Sequence, residues 1–213
     1  MKKLITILFF MCLAGYLFAQ ELKPIVLNPP DLKRGLPVME AFSLRASSTE
    51  FINKKLSLQD LSDLLFAADG INRKEISKRT APSAMNAQDI DIYVFFQEGV
   101  FLYDAVNLVL NPVVSGDQRA LIAGNQTIVA TAPVILLLVS DISRFKMPDE
   151  AMKLDGAAKD AGIVSQNINI FCAGMGLHTR PRGSMDIEKL RSVLKLKDSQ
   201  HPMLNNPVGY PAN

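Results

Sequence analysis

The chain has 213 residues, of which 48% are hydrophobic and 21% are charged, so it is long and apolar enough to bury a core. This composition excludes disorder over most of the chain. With 23 basic and 21 acidic residues, the net charge of +2 gives no electrostatic reason to expect nucleic-acid binding.

The first 19 residues have the three-part pattern of a secretory signal peptide. Lys2 and Lys3 form a basic start, an apolar run follows, and small residues close the segment. The run is short for a transmembrane helix, and because it continues beyond Cys12 a lipid-modified cysteine is not expected. We therefore expect an exported protein, periplasmic or extracellular, with no stable membrane anchor after cleavage near Ala19. A retained anchor is the alternative.

Cleavage changes two counts. Removing Lys2 and Lys3 from the 23 basic residues leaves 21 against 21 acidic residues, so the mature protein would be neutral. Cys172 would be the one remaining cysteine, which rules out an intrachain disulfide in the mature form. With only His178 and His201 beside it, no metal-ligand cluster is expected, and Cys172 itself is predicted to be buried and inert.

The first elements follow from prolines and helix caps. Residues 20–37 contain four prolines and predict an extended arm before a domain at 38–213. A short helix is predicted at 39–44. Ser57 has the character of an N-cap, with an acidic residue three positions on, and predicts an amphipathic helix that ends at Gly70.

The rest of the chain mixes helices and strands without regular βαβ alternation, which favours an α+β fold over a doubly wound sheet. A continuous apolar run of strand length predicts a central strand that is buried on both faces. The predicted elements are a strand at 90–96 with a hairpin partner at 100–103, helices after 118 and at 125–132, the buried strand at 134–139, helices at 153–175 and 187–196, and an extended piece at 207–211.

A first segment with chemical character begins at Arg45. A guanidinium binds a phosphate as a fork, and the hydroxyls of Ser47, Ser48 and Thr49 together with backbone N–H groups can complete the cradle. The alternative is a solvated arginine beside a Ser-rich helix cap.

A second segment, Pro82-Ser83-Ala84-Met85-Asn86, lies just before a predicted strand. The Asn86 amide offers both a donor and an acceptor, so it can bind the edge of a polar ring. Because Pro, Ser and Asn are also common turn formers, an ordinary turn is the alternative.

A third segment follows the long predicted helix. Gly174 and Gly176 are typical helix-ending residues. Beyond them, Gly183 and Ser184 could bring backbone N–H groups beside a ring, whereas Arg180 and Arg182 are either ligand contacts or plain surface charge. The three segments together predict a site that holds a phosphate at one end and a hydrogen-bonding ring at the other, as flavin mononucleotide (FMN) requires.

In the order and spacing of these segments, the chain resembles the flavin-dependent nitroreductase family over about residues 38–211. The matching residues are Arg45, Ser47 and Phe51, a helix beginning within 56–66, Pro82, Ser83, Asn86 and Gln88, the run 160–162 through 174–177, and 208–211. The Arg79–Ser83 run resembles the branch of that family that oxidises azoline rings.

The resemblance implies an α+β nitroreductase-like fold, with a central mixed or antiparallel sheet flanked by helices, and a homodimer with FMN at its interface. It implies an oxidoreductase in which hydride passes through the flavin N5 between small-molecule donors and acceptors, so no catalytic residue is assigned. A flavin carrier of the same fold and a dimer with an empty site are the alternatives. The expected cofactor-binding residues are Arg45, Ala46, Ser47, Pro82, Ser83, Asn86, Arg182, Gly183 and Ser184.

Three departures from the family pattern change the expectation. Thr49 stands where a basic residue is common. Many members continue past the Gly-Tyr-Pro segment to another phosphate-holding basic residue, so with the sequence ending at Asn213 that role is expected of Arg180 or Arg182. Because NAD(P)H is a cytosolic reductant, an exported member is expected to use another electron donor or to act as an oxidase or dehydrogenase.

Overall fold

The predicted α+β class is confirmed by a computed structural model, which describes residues 21–212 as five α-helices around one large sheet. The predicted signal peptide at 1–19 lies outside the described residues. The helices are α1 (Val38–Leu44), α2 (Leu58–Asp69), α3 (Arg119–Ala123), α4 (Glu150–Gly174) and α5 (Ile187–Leu194). The strands are β1 (Ile25–Val26), β2 (Ile71–Arg73), β3 (Lys78–Arg79), β4 (Ile90–Phe95), β5 (Gly99–Asp104), β6 (Val109–Ser115), β7 (Val134–Asp141), β8 (His178–Thr179) and β9 (Gln200–Gly209).

The seven-stranded sheet has the order β1-β6-β5-β4-β7-β9-β8, and every neighbouring pair in it is antiparallel. All residues of β7 are buried, which confirms the predicted central strand. The even-numbered apolar residues of β7 belong to a core shared with α2 and α4, and the odd-numbered ones to a core shared with α3 and α5. The apolar run is continuous because helices cover both faces of the sheet.

The helix α4 organises one face of the molecule. It begins at Glu150, three residues before the predicted start, because the Asp149 side chain accepts the Met152 N–H at 3.0 Å and caps the helix. Ala157 and Ala161 are fully buried, and side chains of this size let the neighbouring elements approach closely. With 25 residues, α4 spans most of the domain.

The predicted cap of α2 is confirmed, since the Ser57 hydroxyl accepts the Asp60 N–H at 3.0 Å. The Pro-rich arm is extended, as predicted, but it is bound to the domain. Its β1 pairs with β6, and Arg34 forms an ion pair with Asp63 at 2.7 Å. The arm therefore forms an edge of the main sheet, which its proline content did not indicate.

Three elements differ from the predictions. The strand β6 was not predicted, and β9 begins at Gln200, well before the predicted extended piece at 207–211. Both strands contain prolines, which weaken the sequence signal for a strand. The predicted helix at 125–132 is a 3-10 helix at Thr127–Thr131. Within residues 21–212, no helix is long and apolar enough to cross a membrane.

Candidate functional site

The Arg45 segment lies along the edge of the sheet beside β8. Helix α1 ends where the Arg45 N–H binds the Ala41 carbonyl at 3.0 Å, and the backbone then becomes extended. Three residues later, the Ser48 N–H donates to the Thr179 carbonyl at 2.9 Å. Arg45, Ala46 and Ser47 are exposed, and within residues 21–212 the Arg45 guanidinium has neither a hydrogen bond nor an ion pair. A free fork of N–H donors therefore faces solvent at this edge.

The third segment follows β8 along the same edge. Arg182 and Asn205 exchange two backbone hydrogen bonds of 2.9 and 2.7 Å, which extend the sheet beyond β8. Gly183 and Ser184 come next and are exposed, and no atom lies within 4 Å of the position that a Gly183 Cβ would occupy. The structure thus brings the first and third predicted segments to one open edge.

The Arg182 side chain lies inside the fold, which argues against its predicted role as a cofactor contact. It is 6% exposed, and its guanidinium donates to Asn205 Oδ1 at 2.8 Å and to the Ile122 carbonyl at 3.2 Å. Desolvation lowers the pKa of Arg182, and the nearby charge of Arg180 adds to the effect. The partly exposed Arg180 donates from one nitrogen to Gln126, so it is the better placed of the two for an anion.

The second segment forms a tight turn with an unusual backbone. Met85, Asn86 and Gln88 have positive φ angles of 52°, 55° and 47°. Asparagine adopts this conformation readily, but methionine and glutamine do so at a cost in conformational energy. The Ser83 hydroxyl accepts the Gln88 N–H at 2.8 Å and closes the turn. A turn that keeps such angles must be held by contacts around it.

The exposed Asn86 is held by a residue that the sequence reasoning missed. Lys78 Nζ donates to Asn86 Oδ1 at 2.6 Å, so the amide oxygen has a partner and the amide nitrogen remains for a ligand. Arg79 Nε donates to Gln88 Oε1 at 3.2 Å, and Gln88 Nε2 donates to the Ser77 carbonyl at 2.8 Å. The β2–β3 hairpin therefore braces the turn, a contact that no local sequence signal predicted.

Two buried carboxylates lie beneath the turn. The Ala84 N–H donates to both oxygens of Asp160 at 3.0 and 2.9 Å, and the Ser140 hydroxyl donates to Asp89 Oδ2. Burial raises the pKa of Asp89 to about 7, and the neighbouring Asp160 carboxyl adds to the shift. An aspartate among the buried alanines of α4 was the sequence signal for this pair.

The first and second segments lie toward opposite ends of α4. Ala84 binds Asp160, whereas α1 packs at Gly174, whose carbonyl accepts the Leu36 N–H at 3.0 Å. The helical stretch from Asp160 to Gly174 is about 21 Å long at 1.5 Å per residue. The second and third segments are also apart, because β9 and β7 separate β8 from β4. One chain does not bring the three predicted segments together.

A cavity of about 1040 Å³ lies elsewhere, between the N-terminal arm and the β4–β5 hairpin. Its lining includes Leu22, Leu56, Leu61, Phe96 and Phe101, and no lining residue belongs to the three segments. Within residues 21–212, no group of three or more His, Cys, Asp or Glu side chains could hold a metal ion. The chemistry predicted from the sequence therefore depends on the segments themselves.

Known proteins resemble this chain over nearly the whole described domain. The sequence profile of the nitroreductase family matches residues 44–210. A protein from Methanocaldococcus jannaschii named "Putative nitroreductase" is 29% identical over 190 residues, covering 84% of this chain and 93% of its own. The crystal structure of "a putative nitroreductase" from Ralstonia eutropha JMP134 is 33% identical with a TM-score of 0.83, covering 89% and 90% of the two chains. A chain of the E. coli microcin synthetase McbBCD complex has the same fold at 17% identity and a TM-score of 0.70, covering 98% and 85%.

Proposed function

This chain belongs to the nitroreductase family, whose members are oxidoreductases of the flavin type, and we propose that it uses FMN at a site shared by two copies of the chain. The observation that carries the proposal is the Ser48–Thr179 hydrogen bond, which places the Arg45 segment beside the Arg180–Ser184 segment. The shared edge offers a free guanidinium, hydroxyls and backbone N–H groups. These are the donors that a phosphate and the adjoining ring require.

The phosphate end of the site is assigned to Arg45. Its guanidinium is exposed and has no ion pair within the described residues, so a phosphate would not have to displace an existing partner. Ser47 adds a hydroxyl, and Arg180 adds a second positive charge along the same edge. Arg180, rather than the buried Arg182, then supplies the basic contact for which the resemblance implied a substitute.

The ring end of the site is assigned to the second segment. Because Lys78 occupies the Asn86 amide oxygen, the amide nitrogen is the group that donates to an acceptor on the ring edge. Pro82 and Ser83 shape the turn, while the open surface at Gly183 and Ser184 lets a planar ring approach the backbone. FMN, when bound, would supply hydride transfer through its N5 atom, and the chain would orient the ring and exclude water.

A complete site requires a second copy of the chain, because the phosphate end and the ring end lie toward opposite ends of α4. Helix α1 supports this proposal. Val38, Met39 and Phe42 are 60%, 75% and 52% exposed, so this short helix presents an apolar face. Contiguous exposed apolar surface of this kind is typical of protein interfaces. We propose that a homodimer covers this face and joins the two half-sites.

Export remains part of the proposal, supported by the signal-peptide pattern of residues 1–19. An exported enzyme would meet little NAD(P)H, so we propose that it takes electrons from another small-molecule donor or oxidises its substrate. The resemblance of Arg79–Ser83 to the azoline-oxidising branch favours the second direction. Mass spectrometry of the protein purified from the secreting host tests export, because cleavage near Ala19 removes a defined mass.

The function is tested by the spectrum of the purified protein. We expect flavin absorbance, either as isolated or after incubation with excess FMN and removal of free ligand, and bleaching of the bound flavin by at least one electron donor. A protein that stays colourless would contradict both the enzyme and the carrier. A protein whose bound flavin no chemical or enzymatic donor reduces would favour the carrier.

A further inference from the structure

Three buried carboxylates from different parts of the chain surround a small void beneath the Pro82–Gln88 turn. Asp69, Asp89 and Asp160 are 4%, 0% and 3% exposed. The void has a volume of about 10 Å³ and is also lined by residues of the turn itself. Buried carboxylates are costly unless a cation, a proton or hydrogen-bond donors compensate their charge. The three groups therefore raise the question of what neutralises each of them.

Asp69 has a cationic partner. Arg79 donates to Asp69 Oδ2 at 3.1 Å and to the Asp69 carbonyl at 2.8 Å. Burial raises the pKa of Asp69 to about 8, and the charge of Arg79 opposes the shift. A second cluster nearby is also paired, since Arg144 binds Asp91 at 2.7 Å and lies 3.9 Å from Asp141.

Asp89 and Asp160 have no such partner. Among residues 21–212 neither forms an ion pair, and Asp89 Oδ1 is buried without any hydrogen-bond donor. The two carboxyl groups are within hydrogen-bonding reach of each other. Two ionised carboxylates at this distance repel each other, whereas one proton between them gives Asp89 Oδ1 a partner and removes one charge. Asp160 meanwhile remains the acceptor for the Ala84 N–H.

We propose that Asp89 and Asp160 share one proton, and that this proton holds the Pro82–Gln88 turn in the conformation that presents Asn86 to the cofactor. Both aspartates are positioning residues, because they act on the ligand through the turn. The reference to the cofactor rests on the proposed function, but the shared proton and its effect on the turn do not.

The geometry gives a definite direction of pH dependence. Burial raises the pKa of Asp89 above the ordinary 3.8 to about 7, so the folded protein keeps a proton that the unfolded chain has already released. The stability contributed by this proton is present at low pH and is lost as the pH rises from about 4 to about 7. Above that range, both carboxylates are charged and repel each other, which loosens Asp160 from Ala84.

The test compares FMN affinity, by quenching of flavin fluorescence, between pH 5.5 and 8.5. We expect the Kd of the parent protein to rise about tenfold over this range, as loss of one coupled proton allows. In Asp160→Asn the amide nitrogen can donate permanently to Asp89 and the amide oxygen can accept from Ala84. Its Kd should therefore stay within about threefold of the parent's low-pH value throughout. Asp160→Ala removes the anchor and should bind weakly at every pH.

Asp155→Asn is the matched control. Asp155 lies five residues earlier on α4, its side chain is 65% exposed and it pairs with Lys159, so its replacement corrects for titration of FMN itself. Asp69→Asn separates the other buried carboxylate. If Asp69→Asn abolishes the pH dependence and Asp160→Asn retains it, the titrating group is Asp69 and the proposal is wrong. A flat parent profile, or an Asp160→Asn variant as weak as Asp160→Ala, also overturns it.

Hydrogen exchange of the 82–88 peptide tests the pair without FMN. Relative to Asp155→Asn at each pH, the parent should lose protection above pH 7 while Asp160→Asn keeps it. If no variant binds FMN, the proposed function fails while this measurement still decides the shared proton. If FMN binds but the exchange of the parent and Asp160→Asn is the same at all pH values, the shared proton fails alone.

Discussion

Replacing Arg45 by alanine should weaken FMN binding without weakening the fold. A hydrogen bond to a charged group contributes about 1.5–3 kcal/mol. Since each 1.4 kcal/mol is a factor of ten, the Kd should rise about 10- to 150-fold. Arg45 is exposed and has no partner within residues 21–212, so the free energy of unfolding should change by less than about 0.5 kcal/mol.

The assay is equilibrium dialysis against FMN, with thermal unfolding of the FMN-free protein measured in parallel. Arg45→Lys keeps the charge but loses the two-pronged geometry, so its Kd should lie between those of the parent and Arg45→Ala. Lys197→Ala removes another exposed positive charge and should leave the Kd unchanged. An Arg45→Ala protein that retains stoichiometric FMN through dialysis as well as the parent would refute the role assigned to Arg45.

Three further predictions follow from the burial of single side chains. Arg182→Ala should lower the free energy of unfolding by about 2–4 kcal/mol in chemical denaturation, because Asn205 and two backbone carbonyls lose their donor; an unchanged midpoint would contradict its place in the fold. The Cys172 thiol should react with a thiol reagent only after denaturation, because it is fully buried and burial raises its pKa; labelling of the native protein at this residue would be inconsistent with the core. Phe42→Asp should give a monomer by light scattering and reduce FMN retention, and an unchanged mass would remove α1 from the proposed interface.

Much of the fold could be predicted because its signals are local. The Ser57 cap, the apolar stripe of α2 and the continuous run of β7 each depend on a few neighbouring residues, and the structure contains all three. The strand β9 could not be predicted in full. Its first half contains Pro202 and the polar pair Asn205 and Asn206, which are tolerated because neighbouring strands and α4 supply partners.

The site was predicted less completely, because its geometry depends on distant contacts. An arginine that binds a carbonyl 60 residues away cannot be distinguished from a surface arginine by its neighbours, which is why Arg182 was assigned to the cofactor. The motif order indicated one site, whereas the separation along α4 divides it between two chains. Lys78 and Asp160 act on the second segment through contacts that no spacing rule describes.

The central claim, that each FMN site takes Arg45 from one chain and Asn86 from the other, is tested most directly by a mixed dimer. One chain carries Arg45→Ala and the other Asn86→Ala, each with a different affinity tag. If the site is shared, one of the two sites has both residues intact, so the purified mixed dimer should bind one FMN per dimer with the parent's Kd, while each variant homodimer binds weakly. A mixed dimer in which neither site regains the parent's Kd would contradict the claim, because a site built within one chain would be damaged in both copies.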